Sequence, residues 1–219
     1  MLKIRDNQQG IISILSEFME GFDALAAIPP SVAIFGSARA KPGDSAYIAA
    51  VETARLLARA GFGIITGGGP GIMEAGNKGA REGGSASIGC LIDLPSAEAA
   101  NSYLDISPGF QHFFFAQAFI VFPGGFGTLD ELFDVLALVQ TKKLDSCPII
   151  LYDSAYWAGL VNWIRGTMVD SNKILLQDAG LLLLSDDPQE ICNMVIEAYS
   201  VSHFSEDAYV MNHQALSRG

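Results

Sequence analysis

From Ser31 onward the chain alternates two kinds of segment. Short, continuous apolar runs give way to longer stretches whose apolar residues recur every three or four positions. The first kind predicts strands and the second helices. Strands are expected over Ser31–Gly36, Gly63–Thr66, Ala86–Ile92, Ala118–Phe122, Pro148–Tyr152 and Leu181–Leu184. These runs are rich in Ile, Val, Phe and Leu and do not alternate with polar residues, as in strands covered on both faces. Helices are expected over Ala46–Ala60, Pro70–Glu82, Leu129–Gln140, Tyr156–Val169 and Pro188–Ser200, the last with proline at its start. This order predicts an α/β fold: a Rossmann-like, doubly wound parallel sheet of about six or seven strands, with helices on both faces.

Ahead of the alternation, residues Gln9 to Ile28 place Ile11, Leu15, Phe18, Phe22 and Leu25 at helical spacing, and Pro29-Pro30 ends the run. An N-terminal helix (1–30) is expected to cover a sheet edge, a sheet face or a partner subunit. One nucleotide-binding domain (31–202) follows, then a polar, loosely held tail (203–219).

The chemistry concentrates where strands end. Pro123-Gly124-Gly125-Phe126-Gly127-Thr128-Leu129-Asp130-Glu131 lies between an apolar strand and an amphipathic helix. A second glycine-rich turn, Gly67-Gly68-Gly69-Pro70-Gly71-Ile72-Met73-Glu74, occupies the same kind of position, and Gly36-Ser37-Ala38-Arg39 follows the first strand. Such turns aim backbone N–H groups at one point, and the helix that follows adds its positive dipole end. Ligands of doubly wound sheets bind at these carboxyl ends, near the switch point. Two such turns suggest a nucleotide site with two walls. Neither turn fits GxGxxG, since Ile72 and Asp130 stand where the last glycine would be, and no GK[ST] follows either. The plainer reading is that these glycines only turn tight corners and allow close packing.

Charge narrows the partners. The chain of 219 residues carries a net charge of −11, which disfavours broad nucleic-acid binding and DNA handling. A small phosphorylated ligand is compatible, because amides can hold it without a basic surface. Half the residues are hydrophobic, which excludes general disorder. The strongest apolar run, Phe110 to Phe122, is interrupted by Gln111, His112 and Gln117 and is too short for a membrane helix. No signal-peptide core is read at the N-terminus. Cys90, Cys147 and Cys192 form no CxxC, so free thiols in a reducing cytoplasm are expected. Three scattered histidines do not suggest a metal site, and no cofactor is expected.

Each candidate side chain also has a structural reading. Thr128-x-x-Glu131 matches a capping box, which is at least as good an account of Glu131 as catalysis. Asp130 and Glu74 fit as first-turn acids compensating the helix dipole. Met73 fits the core, Asn77 a solvated helix face, and His112 an aromatic cluster. Arg39 fits either a phosphate or a surface acid.

The paired motifs Gly67-Gly68-Gly69-Pro70-Gly71-Ile72-Met73-Glu74-Ala75 and Pro123-Gly124-Gly125-x-Gly127-Thr128-x-x-Glu131 resemble the Lonely Guy family, often labelled "lysine decarboxylase-like". The resemblance spans about Ser31 to Tyr199 and includes Phe35-Gly36-Ser37-Ala38-Arg39 and Gln140-Thr141-x-Lys143. It implies hydrolysis of the N-glycosidic bond of a purine nucleoside 5'-monophosphate, a cytokinin riboside monophosphate or AMP, to free base and ribose 5-phosphate. It implies that Gly124, Gly125, Gly127 and Thr128 hold the phosphate and that Gly68, Gly69 and Gly71 form the opposing wall. Ser37 joins this binding set, Met73 and Glu74 lie near ribose or base, and Glu131 is the catalytic carboxylate. It further implies a homodimer or an assembly of dimers. Nothing marks a pyridoxal phosphate lysine. Molybdenum-cofactor carriers share the fold, so binding without hydrolysis is the rival reading. One departure favours that rival. The family carries an Arg-Lys pair on a helix before the PGG strand, whereas here Ala116 runs straight into Gln117, and no lysine or arginine stands between Arg81 and Lys142. A chain with that helix deleted is expected to hydrolyse poorly.

Overall fold

The computed structural model describes residues 28–90, 100–107, 115–145 and 147–201. Its strands are β1 (Ser31–Phe35), β2 (Gly63–Thr66), β3 (Ser87–Gly89), β4 (Ala116–Val121), β5 (Ile149–Tyr152) and β6 (Leu182–Ser185). They form a single six-stranded sheet, ordered β3-β2-β1-β4-β5-β6, in which every pairing is parallel. This is the doubly wound order, and its switch point lies between β1 and β4. Helices α1 (Ser45–Arg59), α2 (Ile72–Gly83), α3 (Phe126–Gln140), α4 (Ser154–Trp163), α5 (Leu176–Ala179) and α6 (188–201) complete the described fold.

The apolar runs explain the layers. Successive β1 residues alternate faces. Ala33 and Phe35 join one buried cluster with Phe119, Val121, Leu132, Val135 and Trp157, under α3 and α4. Val32 and Ile34 join the other with Tyr47, Leu57, Ile72, Ile191 and Val195, under α1, α2 and α6. Both faces of the sheet are covered, so polar alternation has no place in these strands.

Three local features were not expected. The chain after Trp163 continues as a π-helical turn over Ile164–Met168. The short helix α5 follows, closed by mutual bonds between Leu175 and Asp178. Strand β4 begins at Ala116, so the Ala116–Gln117 junction lies inside a strand. The β1–β4 ladder slips there by one residue: Ser31 pairs with Ala116, but Val32 pairs with Ala118. The expected N-terminal helix, the tail and His112 lie outside the described residues. No helix of the described residues is long and apolar enough to cross a membrane.

Candidate active site

The loops after β1 and β4 meet at the switch point. The Ser37 N–H donates to the Pro123 carbonyl (3.0 Å), and the Ile72 N–H donates to the Ser37 carbonyl (3.0 Å). Gly71 has φ +70, and a side chain there would strike the Ser37 and Ala38 backbone, so only glycine fits. A cavity of about 690 Å³ opens above this junction. Gly36, Ser37, Ala38 and Arg39 line it from β1, and Met73 from the first glycine turn. The second glycine turn and α3 supply Gly124 to Leu129 and Glu131, and Tyr156 comes from α4.

The second glycine turn does not end before the helix; it starts it. Helix α3 begins at Phe126 with Gly125 as its N-cap, and no side chain caps it. The first intrahelical bond is Leu129 N–H to the Gly125 carbonyl (3.0 Å). The N–H groups of Phe126, Gly127 and Thr128 therefore meet no protein acceptor among the described residues, and they carry the positive end of a 15-residue helix. Thr128 is buried, and a side chain at Gly124 would collide with it. Side chains at Gly125 and Gly127 would meet nothing within 4 Å. Neither has positive φ. Gly125 serves as the N-cap, whereas neither packing nor backbone geometry accounts for Gly127. We expect Gly127→Ala to fold at least as stably, gaining up to about 1 kcal/mol from helix propensity. The same variant should bind inorganic phosphate markedly more weakly, as titration calorimetry would show.

This geometry corrects the capping-box reading. Thr128 is the third residue of α3, so it is not the N-cap, and Glu131 lies in the second turn, too far along to reach back. Asp130 likewise is not a first-turn acid. The helix begins earlier than its apolar periodicity because glycine takes the N-cap without a side-chain partner. Glu131 is half-buried on the same helix face as Thr128. No hydrogen bond or ion pair reaches it among the described residues. Burial, then the nearby Asp130 and Asp134, push its carboxyl up to about 7.

Arg39 is exposed and makes no ion pair among the described residues. It is the only basic side chain among the described residues lining the cavity. Tyr156 was missed by sequence reasoning. Its hydroxyl donates to the Gly124 carbonyl (2.6 Å), and its ring meets Trp157 edge-on. Phe126 was also passed over, though the residue is 92% exposed at the cavity.

The first glycine turn is placed differently from the second. Gly68, Gly69, Gly71 and Glu74 do not line the cavity; Met73 does, and side chains added at Gly67 or Gly69 would run into it. Glu74 is a first-turn acid of α2 and accepts a hydrogen bond from the buried Tyr47 hydroxyl (2.8 Å). Asn77 is fully buried, correcting its reading as a solvated residue. It accepts from Thr66 Oγ1 and Asn101 Nδ2 and donates to Ser87 Oγ and the Ile88 carbonyl. Asn101 also donates to the carbonyls of Gly68 and Gly69. The turn is thereby held by a side-chain network that helical periodicity cannot show.

Cys90, Cys147 and Cys192 form no disulfide with one another, and burial pushes the Cys147 thiol up to about 11. No cluster of His, Cys, Asp and Glu among the described residues is placed to hold a metal.

A family model described as possible lysine decarboxylase matches residues 73–195, more than half of the chain. The chain belongs to this family, also known as Lonely Guy. Over 88 residues it is 33% identical to a probable cytokinin riboside 5'-monophosphate phosphoribohydrolase of Oryza sativa subsp. japonica, covering 40% of this chain and 34% of that one. Over 75 residues it is 36% identical to a bifunctional cytokinin biosynthesis protein of Fusarium pseudograminearum, covering 34% of this chain and 15% of that one. The matches thus span about a third or less of these relatives. Among solved structures, a molybdenum cofactor carrier protein of Chlamydomonas reinhardtii superposes with a TM-score of 0.58 at 21% identity, over 78% of this chain and 98% of that one. The molybdenum cofactor binding protein of Rippkaea orientalis gives 0.55 at 21% identity, over 78% and 96%. These likenesses establish the fold.

Proposed function

We propose that this Lonely Guy family member hydrolyses the N-glycosidic bond of a purine nucleoside 5'-monophosphate, a cytokinin riboside monophosphate or AMP, releasing free base and ribose 5-phosphate. Glu131 carries the proposal. It is a half-buried carboxylate without a partner among the described residues, at a cavity beside the open N-terminus of α3, and capping does not account for it. In this reading the N–H groups of Phe126, Gly127 and Thr128 take the 5'-phosphate, and Arg39 supplies a counter-charge. Glu131 faces the ribose. Cleavage passes through an oxocarbenium-like state, which a carboxylate near C1' or the ribose hydroxyls stabilises while orienting water. The Oryza sativa relative, named as a probable cytokinin riboside 5'-monophosphate phosphoribohydrolase, supports this substrate class.

A second reading is a nucleotide- or molybdenum-cofactor-binding protein without hydrolysis. It is favoured by one observation: no arginine or lysine stands between Arg81 and Lys142. One assay separates the two. The chain is incubated with AMP and with isopentenyladenosine monophosphate, and free base is followed by chromatography. Hydrolysis releases adenine or isopentenyladenine; binding without base release supports the second reading.

A further inference from the structure

The cavity offers more than an anion seat. Phe126 is the first residue of α3, directly beside the unpaired N–H groups, and the residue is 92% exposed. Tyr156, at 51%, is the other large aromatic at this cavity. The two differ in one respect. Tyr156 is held by the Gly124 carbonyl and by Trp157. Phe126 meets no aromatic partner among the described residues and is 92% exposed, so its ring is open to stacking. The flanking Gly125 and Gly127 add no side chain that could cover it. Among the described residues Phe126 is the most exposed of the large hydrophobics, and it stands at the cavity rather than on open surface. The cavity, at about 690 Å³, falls in the range of sites that hold whole small molecules. What an open aromatic ring recognises beside a phosphate seat is a flat heteroaromatic group, by stacking.

We propose that Phe126 is the base-recognition residue of this site: its ring stacks on the purine of a nucleotide whose phosphate sits at the α3 N-terminus. The proposal rests on the phosphate reading above and adds what distinguishes a nucleotide from a sugar phosphate.

The test compares two ligands that share a phosphate and a ribose but differ in the base. Binding of AMP and of ribose 5-phosphate is measured by calorimetry in the Glu131→Gln background, where AMP is not consumed. Phe126→Ala should weaken AMP binding at least fivefold, from the usual worth of one stacked base. It should leave ribose 5-phosphate within twofold, and Phe126→Trp should restore AMP binding. Equal losses for both ligands, or no loss for either, would overturn the proposal. So would a change of oligomeric state in Phe126→Ala by sedimentation, which would assign the ring to a subunit interface. If the parent binds neither ligand, the phosphate reading itself fails and the proposal falls with it.

Discussion

Glu131→Gln is expected to abolish base release and, at the same time, to stabilise the protein above neutral pH. A half-buried carboxyl whose pKa is raised to about 7 is more easily kept protonated in the folded chain than in the unfolded one. The sign follows directly. Below the unfolded value, near 4.3, Glu131 is neutral in both states and carries no penalty. As pH rises toward 7 the unfolded chain ionises first, and folding loses stability over that window. Above 7 the penalty is constant, on the order of 3–4 kcal/mol. Glutamine removes it, and since Glu131 caps nothing, no cap is lost. Denaturation of parent and variant should therefore nearly coincide at pH 4.5 and diverge by pH 8, with the variant more stable. In the parent, kcat/KM should fall about tenfold per pH unit below about 7, because the proposed reaction uses the carboxylate. A Glu131→Gln protein that still releases base would refute the catalytic assignment; one no more stable at pH 8 would refute the desolvation.

The second large effect is expected at Arg39. The chain carries −11 overall, so an anionic substrate approaches against the field of the molecule, and a cation at the cavity counts for more. No arginine or lysine from residues 82 to 141 can take its place. Arg39→Ala should lower kcat/KM for AMP by about 10–10², the effect of losing one charge-assisted contact to the phosphate. Arg39→Lys should recover part of it, and the weak binding of adenosine should be unchanged. A loss below threefold would mean that the α3 amides hold the phosphate alone. Because the Ala116–Gln117 junction sits within β4, an Arg-Lys helix grafted there would have to displace the first paired residue of that strand. Arg39, already on a loop at the switch point, is the simpler place to seek the charge.

Much of this arrangement was legible from the chain because it depends on local spacing. Continuous runs such as Val32–Phe35 and Ile149–Leu151 are strands with both faces buried, so apolar continuity reports them directly. The second glycine turn and Glu131 were legible for a similar reason: a turn, a helix start and a carboxylate lie within nine residues of one another. What local pattern cannot carry is contact between distant segments. Tyr156 reaches Gly124 across 32 residues, and Asn101 reaches Gly68 across 33. Asn77 looked solvated because a polar residue on a helix ordinarily is, yet Thr66, Ser87 and Asn101 converge on it from other elements. The helix start was misplaced because glycine, a poor helix former, stands at Gly127 inside the first turn.

The contact between Gly71 and the Ser37–Ala38 backbone has a thermodynamic consequence. With the Ser37 N–H on the Pro123 carbonyl and the Ile72 N–H on the Ser37 carbonyl, the three loops beneath the cavity are locked together before any ligand arrives. Binding then orders no backbone there, and the conformational entropy lost on association is confined to rim side chains such as Arg39 and Phe126. A floor of this kind favours rapid capture and release over slow induced closure. The residue that guards it does not itself line the cavity: any side chain at Gly71 would pry the loops apart and return that entropy to the cost of every binding event.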